Sequence, residues 1–321
     1  MKKVVIYGNC HTESIISLLR IVPAFNMEYE IQDTLPIQSI KDPKYLHREE
    51  FTSCDLFIHQ SIWEKNRYGV EYASSSIISR MKATTRVIAI PNLYHMPMCF
   101  FPQYSNEKEL TFWKGETCFF RDSIIDSDFK NGKTIKRIVV DYHSKGRYSE
   151  EQLSSSYQLF IGNVRKREEE WDVKVSSFIE ENYKREKLFY DPNHPSVFLI
   201  GYITEQLLNL LDIHYHFSIE ELNHCYQLDS FEMPIHQDVI NCFGLNIKEN
   251  SIRKSINGRK VYRQEMHLKE YIKQYVSLLW QVSDYHRSLR IKSFVLFLYL
   301  KVMNRIKGGK NVNNCRCSHE A

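Results

Sequence analysis

Two short segments, far apart in the chain, carry the residue types of acyl-transfer chemistry. The first is Gly8-Asn9-Cys10-His11. It follows the β-branched run at 3–7 and precedes apolar residues at helical spacing over 14–19. A cysteine between a strand and a helix lies at the helix N-terminus. There the dipole and the unused N–H groups favour the thiolate, and the same N–H groups can hold an oxyanion. The tetrapeptide alone also suits a small buried turn residue after a permissive glycine. The second segment is Asp191-Pro192-Asn193-His194-Pro195, a polar stretch stiffened by two prolines. A carboxylate three residues before a histidine can bond its Nδ1, fix the tautomer and leave Nε2 as a base. Read together, the segments supply a nucleophile, a base and an orienter.

The elements that must position them read as an α/β fold. Buried-type strands are predicted at 3–7, 55–59 and 86–90, with a weaker one at 27–31, and helical spacing over 74–82 lies between them. Such alternation favours an open parallel sheet of about four to five strands flanked by helices, SGNH- or flavodoxin-like, with ligands at the C-terminal strand ends. The C-terminal half reads as helix-rich, over 149–183, 195–211 and 271–306. The division expected is an α/β catalytic body at 1–250, a basic helical extension at 251–307 and a disordered tail at 308–321.

Composition sets the outer bounds. With 43% apolar and 26% charged residues in 321, a globular core is available and wholesale disorder is excluded. The 8 cysteines are scattered, which argues against a disulfide framework and for a reducing compartment. No apolar run approaches the roughly 20 residues of a membrane span. The apolar stretch after Lys2-Lys3 is too short for a secretory signal, so a cytoplasmic protein is expected. Charge is uneven: residues 251–321 hold 15 Lys/Arg and 4 Asp/Glu, whereas residues 1–250 hold 28 and 35. The basic end points to an anionic partner. Cations bracketing the apolar run at 294–300 suit peripheral contact of 285–307 with an anionic membrane, and a packed core helix explains the same pattern. The acidic body carries no RNA-binding signature, so nucleic acid is not an expected partner. Cys315, Cys317 and His319 fall short of a structural zinc set, and no metal is expected.

In order along the chain, the motifs resemble those of the WcbI-type family of capsule polysaccharide biosynthesis proteins, and more distantly the SGNH hydrolases. The matching segments are Gly8-Asn9-Cys10-His11, His59-Gln60-Ser61, Pro91-Asn92-Leu93-Tyr94 running on to Phe100-Phe101-Pro102-Gln103, and Asn193-His194-Pro195-Ser196. They span about residues 3–211. The resemblance implies coenzyme A binding and O-acetyl transfer from acetyl-CoA to a sugar or lipid-linked glycan acceptor. It implies Cys10 as nucleophile, His194 as general base and Asp191 as its orienter. Asn9, Gln60, Asn92 and Asn193 would serve the oxyanion or substrate. His11 stands where the family has Gln, and would be a second base or a simple donor. No Gly-rich phosphate loop is present, so the phosphates would fall to Lys145, Arg147, Arg165 and Arg167. A thiol esterase and a non-catalytic coenzyme A- or glycan-binding protein fit the same residues.

Overall fold

The computed structural model describes residues 1–94, 96–111, 118–142, 144, 146–225, 228, 231–247, 251–257 and 260–282. Four parallel strands form the central sheet: β1 (Lys2–Tyr7), β2 (Tyr29–Ile31), β3 (Leu56–Gln60) and β4 (Arg86–Ile90), in the order β2-β1-β3-β4. β1 pairs with β3 from Val4 opposite Leu56 to Tyr7 opposite His59. Their side chains alternate between the two faces, as strand geometry requires. Val4, Ile6, Leu56, Ile58, Ile88 and Ile90 enter the larger core, while Val5, Tyr7 and Phe57 meet Ile37, Phe51 and Tyr72 on the other face. Burial of both faces is the usual state of a parallel sheet and explains why its strands read as unbroken apolar runs.

In this order the topology reverses direction between β1 and β3, so the ligand crevice of the sheet opens beyond Tyr7 and Gln60. Helix α1 (His11–Leu19) leaves β1 after a turn of three residues. At Gly8 a Cβ atom would lie 2.5 Å from Gln60 Oε1 and 2.8 Å from Thr12 Cγ2, so only glycine fits between the two strand ends.

The stretch predicted as one helix over 149–183 breaks in two, Glu150–Arg167 and Ser176–Asn182. Between them Asp172 pairs with β4, its N–H donating to Ala89 O at 2.9 Å and its Oδ2 accepting from Ala89 N at 2.7 Å. Glu168, buried, accepts from the backbone N–H of Ser176 at 2.6 Å and starts the next helix. Two antiparallel hairpins stand apart from the sheet. The first pairs β5 (Tyr104–Thr111) with β6 (Cys118–Asp122). The second, β7 (Ser251–Asn257) with β8 (Lys260–Met266), lies where the helical extension beyond residue 250 is expected to begin and replaces its first turns. The helix that follows, Leu268–Val282, is seated in the body: Tyr271, Ile272, Tyr275 and Val276 are buried in the main core. Tyr275 Oη accepts from Asp122 N at 2.7 Å and donates to Asp126 Oδ1 at 3.1 Å, clamping the end of β6. Residues 285–307 and the tail at 308–321 lie outside the described residues. Among the described residues no helix is long and apolar enough to cross a membrane, and Cys10, Cys54, Cys99, Cys225 and Cys242 are free thiols.

Candidate active site

Cys10 occupies the N-cap position of α1, half-exposed in a cleft of about 580 Å³ that also reaches His194, Asp191, Asn193, Asn9 and Asn92. His194 lines the same cleft as the Cys10 thiol, and the two interact electrostatically. The loop that carries His194 is pinned at both ends. Tyr190 N donates to His194 O at 2.9 Å, and Ser196 N donates to Leu188 O at 2.8 Å. Asp191, fully buried, organises the rest. Its Oδ1 accepts from Asn193 N at 2.7 Å and from His194 N at 3.0 Å, and its Oδ2 accepts from His194 Nδ1 at 2.8 Å. That bond consumes Nδ1, so Nε2 is the nitrogen left for Cys10. Burial alone would drive the His194 imidazole neutral. The Asp191 charge and hydrogen bond, with help from Cys10, prevail and raise its pKa to about 10. His194 is therefore an imidazolium at neutral pH, a charge partner for sulfur and a ready proton donor.

His11 has the opposite fate. Burial, reinforced by the His194 charge, depresses its pKa to about 3. Its Nε2 donates to Asn193 O at 2.7 Å and its Nδ1 accepts from Gln60 Nε2 at 3.3 Å, so the neutral tautomer is fixed. A histidine neutral throughout the physiological range, with both nitrogens engaged, is no second base. It is a strut between the nucleophile turn and the His194 loop.

Gln60 is likewise a brace rather than an oxyanion donor. It is fully buried, its Oε1 accepts from Asn9 N at 2.8 Å, and its Nε2 donates to Pro91 O at 3.0 Å and to His11. Asn9 links onward, its Oδ1 accepting from His11 N at 2.9 Å and its Nδ2 donating to Asn92 Oδ1 at 3.2 Å. Asn92 Oδ1 also accepts from Tyr94 N at 3.3 Å. With that oxygen doubly engaged, the Asn92 amide nitrogen is the donor it offers the cleft. The Cys10 backbone N–H has no acceptor among the described residues. These two N–H groups are donors left without a protein acceptor at the cleft among the described residues. Asn193 lines the same cleft at 4% exposure, and its Oδ1 has no partner among the described residues.

The basic residues expected to hold phosphate divide sharply. Arg167 lies beside the cleft, donating to Asn92 O at 3.3 Å. Arg165 pairs with Glu180 at 2.6 Å on the far side of its helix, and Arg147 donates to Asp141 O at 3.3 Å; neither lines the cleft. Lys145 lies outside the described residues. The loop after β3 brings Trp63, an aromatic expected in the core or a cleft wall, together with Lys65, Arg67 and Tyr68, which the sequence did not mark, to a second pocket of about 230 Å³ adjoining the first. The sequence reading also missed Phe120 and Phe231, the apolar walls beside His194. Asn66-Arg67-Tyr68-Gly69 was the legible signal, a turn motif bearing a cation and an aromatic directly after a strand.

An open parallel sheet with a cysteine, a cationic histidine and a buried aspartate at its switch point defines an α/β protein with a thiol-bearing cleft. The chain belongs to the WcbI family, described as polysaccharide biosynthesis enzymes, whose profile matches residues 3–216. A solved structure of WcbI, a novel polysaccharide biosynthesis enzyme, shares the fold. Its TM-score is 0.67 at 17% identity, over 92% of this chain and 97% of that one. That structure is of native protein without a disulfide bond between coenzyme A and one of its cysteines. No curated protein matches the chain.

Proposed function

We propose that this member of a polysaccharide biosynthesis family is an O-acetyltransferase that takes acetyl groups from acetyl-CoA and delivers them to a sugar hydroxyl. The observation that carries the reading is the Cys10–His194–Asp191 constellation, with the 2.8 Å carboxylate–imidazole bond. The coenzyme A named with the solved relative supports the choice of donor.

The charges support an order of events. Cys10 sulfur attacks the thioester carbonyl while the imidazolium neutralises the charge beside it. The Cys10 N–H and the Asn92 amide hold the resulting oxyanion. The C–S bond to coenzyme A breaks, and the leaving thiolate takes the proton from His194 Nε2. The imidazole is now neutral and can accept a proton from the acceptor hydroxyl. That oxygen attacks the acetyl-Cys10 carbonyl, a second oxyanion forms at the same donors, and the Cys10 thiolate leaves to restore the starting pair. Thioester exchange in the first half conserves bond type, so the catalytic burden falls on proton placement and oxyanion binding.

The test is intact-protein mass spectrometry after mixing with acetyl-CoA. Acetylation of Cys10 and stoichiometric release of free coenzyme A are expected, with neither in Cys10→Ala. Coenzyme A release at the same rate from Cys10→Ala would overturn the covalent route. Continuous release without any added sugar, through a short-lived acetyl-Cys10, would identify a thiol esterase instead.

A further inference from the structure

Phe120 meets His194 from a strand that the central sheet does not hold. Among the described residues β6 pairs with β5 alone, and the register of that pair breaks between Ser105 and Leu110. The place of Phe120 is therefore fixed by what packs on the hairpin. Its ring centre lies 6.2 Å from that of His194 with 48° between planes, within the span of an interacting aromatic pair. Phe231 backs it at 6.1 Å, and Tyr271 stacks on Phe231 at 6.0 Å with 24° between planes. Tyr275 completes the row, 5.9 Å from Tyr271.

The helix Leu268–Val282 grips the same strand a second way. Phe120 and Asp122 are two apart and so share one face of β6. Tyr275 Oη accepts from Asp122 N at 2.7 Å and donates to Asp126 Oδ1 at 3.1 Å, which holds the backbone two residues from Phe120. Tyr142 Oη adds a bond to Asp122 Oδ2 at 2.6 Å. Tyr271 and Tyr275 stand one turn apart on one face of their helix, and both are fully buried. Neither lines the cleft, and with Phe231 they lie beyond the residues 3–216 that match the family profile.

On its other contacts His194 is braced from the body. Asp191 takes its Nδ1, and the His11 ring lies 6.3 Å away. The bond at Nδ1 anchors the imidazole at one atom. The rings against it set its tilt, and the tilt decides where Nε2 points. We infer that Tyr271 and Tyr275 are positioning residues, which hold the Phe120–Phe231 wall against His194 and so aim its Nε2 at Cys10. The effect on rate rests on the acetyl-transfer reading, whereas the effect on the His194 ring does not.

The experiment uses the full chain and three variants. Tyr275→Phe removes one oxygen, Phe231→Leu removes the stacked ring, and Val276→Ala opens a cavity on the same helix as a packing control. Each is read by the NMR signals of the His194 ring without ligand, by calorimetric titration with coenzyme A, and by single-turnover formation of acetyl-Cys10. Tyr275→Phe and Phe231→Leu are expected to displace the His194 signals and to slow acylation about 10- to 100-fold, the loss that ångström-scale misplacement brings, with coenzyme A affinity unchanged. Val276→Ala is expected to melt earlier and to keep the native signals and rate. Native His194 signals in either wall variant would overturn the inference, as would equal displacement in Val276→Ala or a native acylation rate despite displaced signals. Displaced signals in a protein whose native form never acetylates Cys10 would keep the positioning role and sink the acetyl-transfer reading.

Discussion

The Asp191→Asn substitution exchanges one oxygen for an NH₂ group and separates the two tasks of that carboxylate. The amide oxygen would still accept from the N–H groups of Asn193 and His194, so the loop keeps its shape. The third bond inverts: an amide NH₂ would face His194 Nδ1, where the carboxylate now accepts at 2.8 Å. Loss of one charge-assisted bond costs about 1.5–3 kcal/mol of stability. The catalytic effect is larger. The tautomer flips, Nε2 carries the proton in the neutral ring, and the influence that holds the pKa at about 10 against burial is gone. A triad histidine in the wrong tautomer loses on the order of 10⁴ in rate. The assay is single-turnover formation of acetyl-Cys10, which needs no acceptor, together with an NMR titration of the His194 ring.

The native His194 should stay protonated through pH 9, and in Asp191→Asn it should titrate at or below its ordinary 6.5. The sign for stability follows. A histidine whose folded pKa is raised to about 10 contributes stability that is fully present below pH 6.5 and is lost as pH rises towards 10. The native protein should lose stability over that window, and the variant should not. Acylation within about tenfold of native, or a native His194 that deprotonates near pH 6.5, would refute the reasoning.

Three further outcomes are expected. Asn92→Ala removes the proposed oxyanion donor and should slow acylation by about 10²–10³ with little change in coenzyme A affinity, read by the same single-turnover assay. Gly8→Ala would drive a Cβ to 2.5 Å from Gln60 Oε1, whose side chain is braced by Asn9, Pro91 and His11. It should cost about 1–3 kcal/mol in denaturant unfolding and also slow acylation. His11 has a folded pKa of about 3, below its ordinary 6.5, so its contribution is intact above pH 6.5 and drains as pH falls towards 3. His11→Gln keeps a donor and an acceptor and should flatten that acid limb in a melting-temperature series, while His11→Ala should destabilise above pH 6.5 and by less as pH falls.

The strands of the central sheet were legible because burial on both faces writes itself as apolar runs, and β1, β3 and β4 fall where those runs lie. The Asp191–His194 bond was legible because an i, i+3 relation between stiffening prolines is local. Roles that depend on distant partners were not. Gln60 and His11 carry functional groups that suit catalysis, and only the assembled structure shows every one of them consumed. The basic residues show the same limit. Arg165 and Arg167 are two apart on one helix, yet one meets Glu180 and the other the cleft, a difference of helical face set by packing. The first hairpin escaped because β5 carries a polar run, Ser105-Asn106-Glu107-Lys108-Glu109, without β-branched alternation.

The strut from His11 Nε2 to Asn193 O joins residues 182 positions apart. During synthesis the cysteine turn leaves the ribosome long before the loop that will face it. Until residue 194 has emerged and docked, the nascent chain holds a thiol with neither its cation nor its proton source. If the proposed acetyl transfer holds, reactivity at Cys10 is therefore a late property of folding, acquired when the two segments close. A ribosome-stalled or proteolysed fragment ending before Asp191 would expose the cysteine and yet leave cellular acetyl-CoA untouched. Competence for chemistry thus doubles as a report that the chain has been completed through its family region.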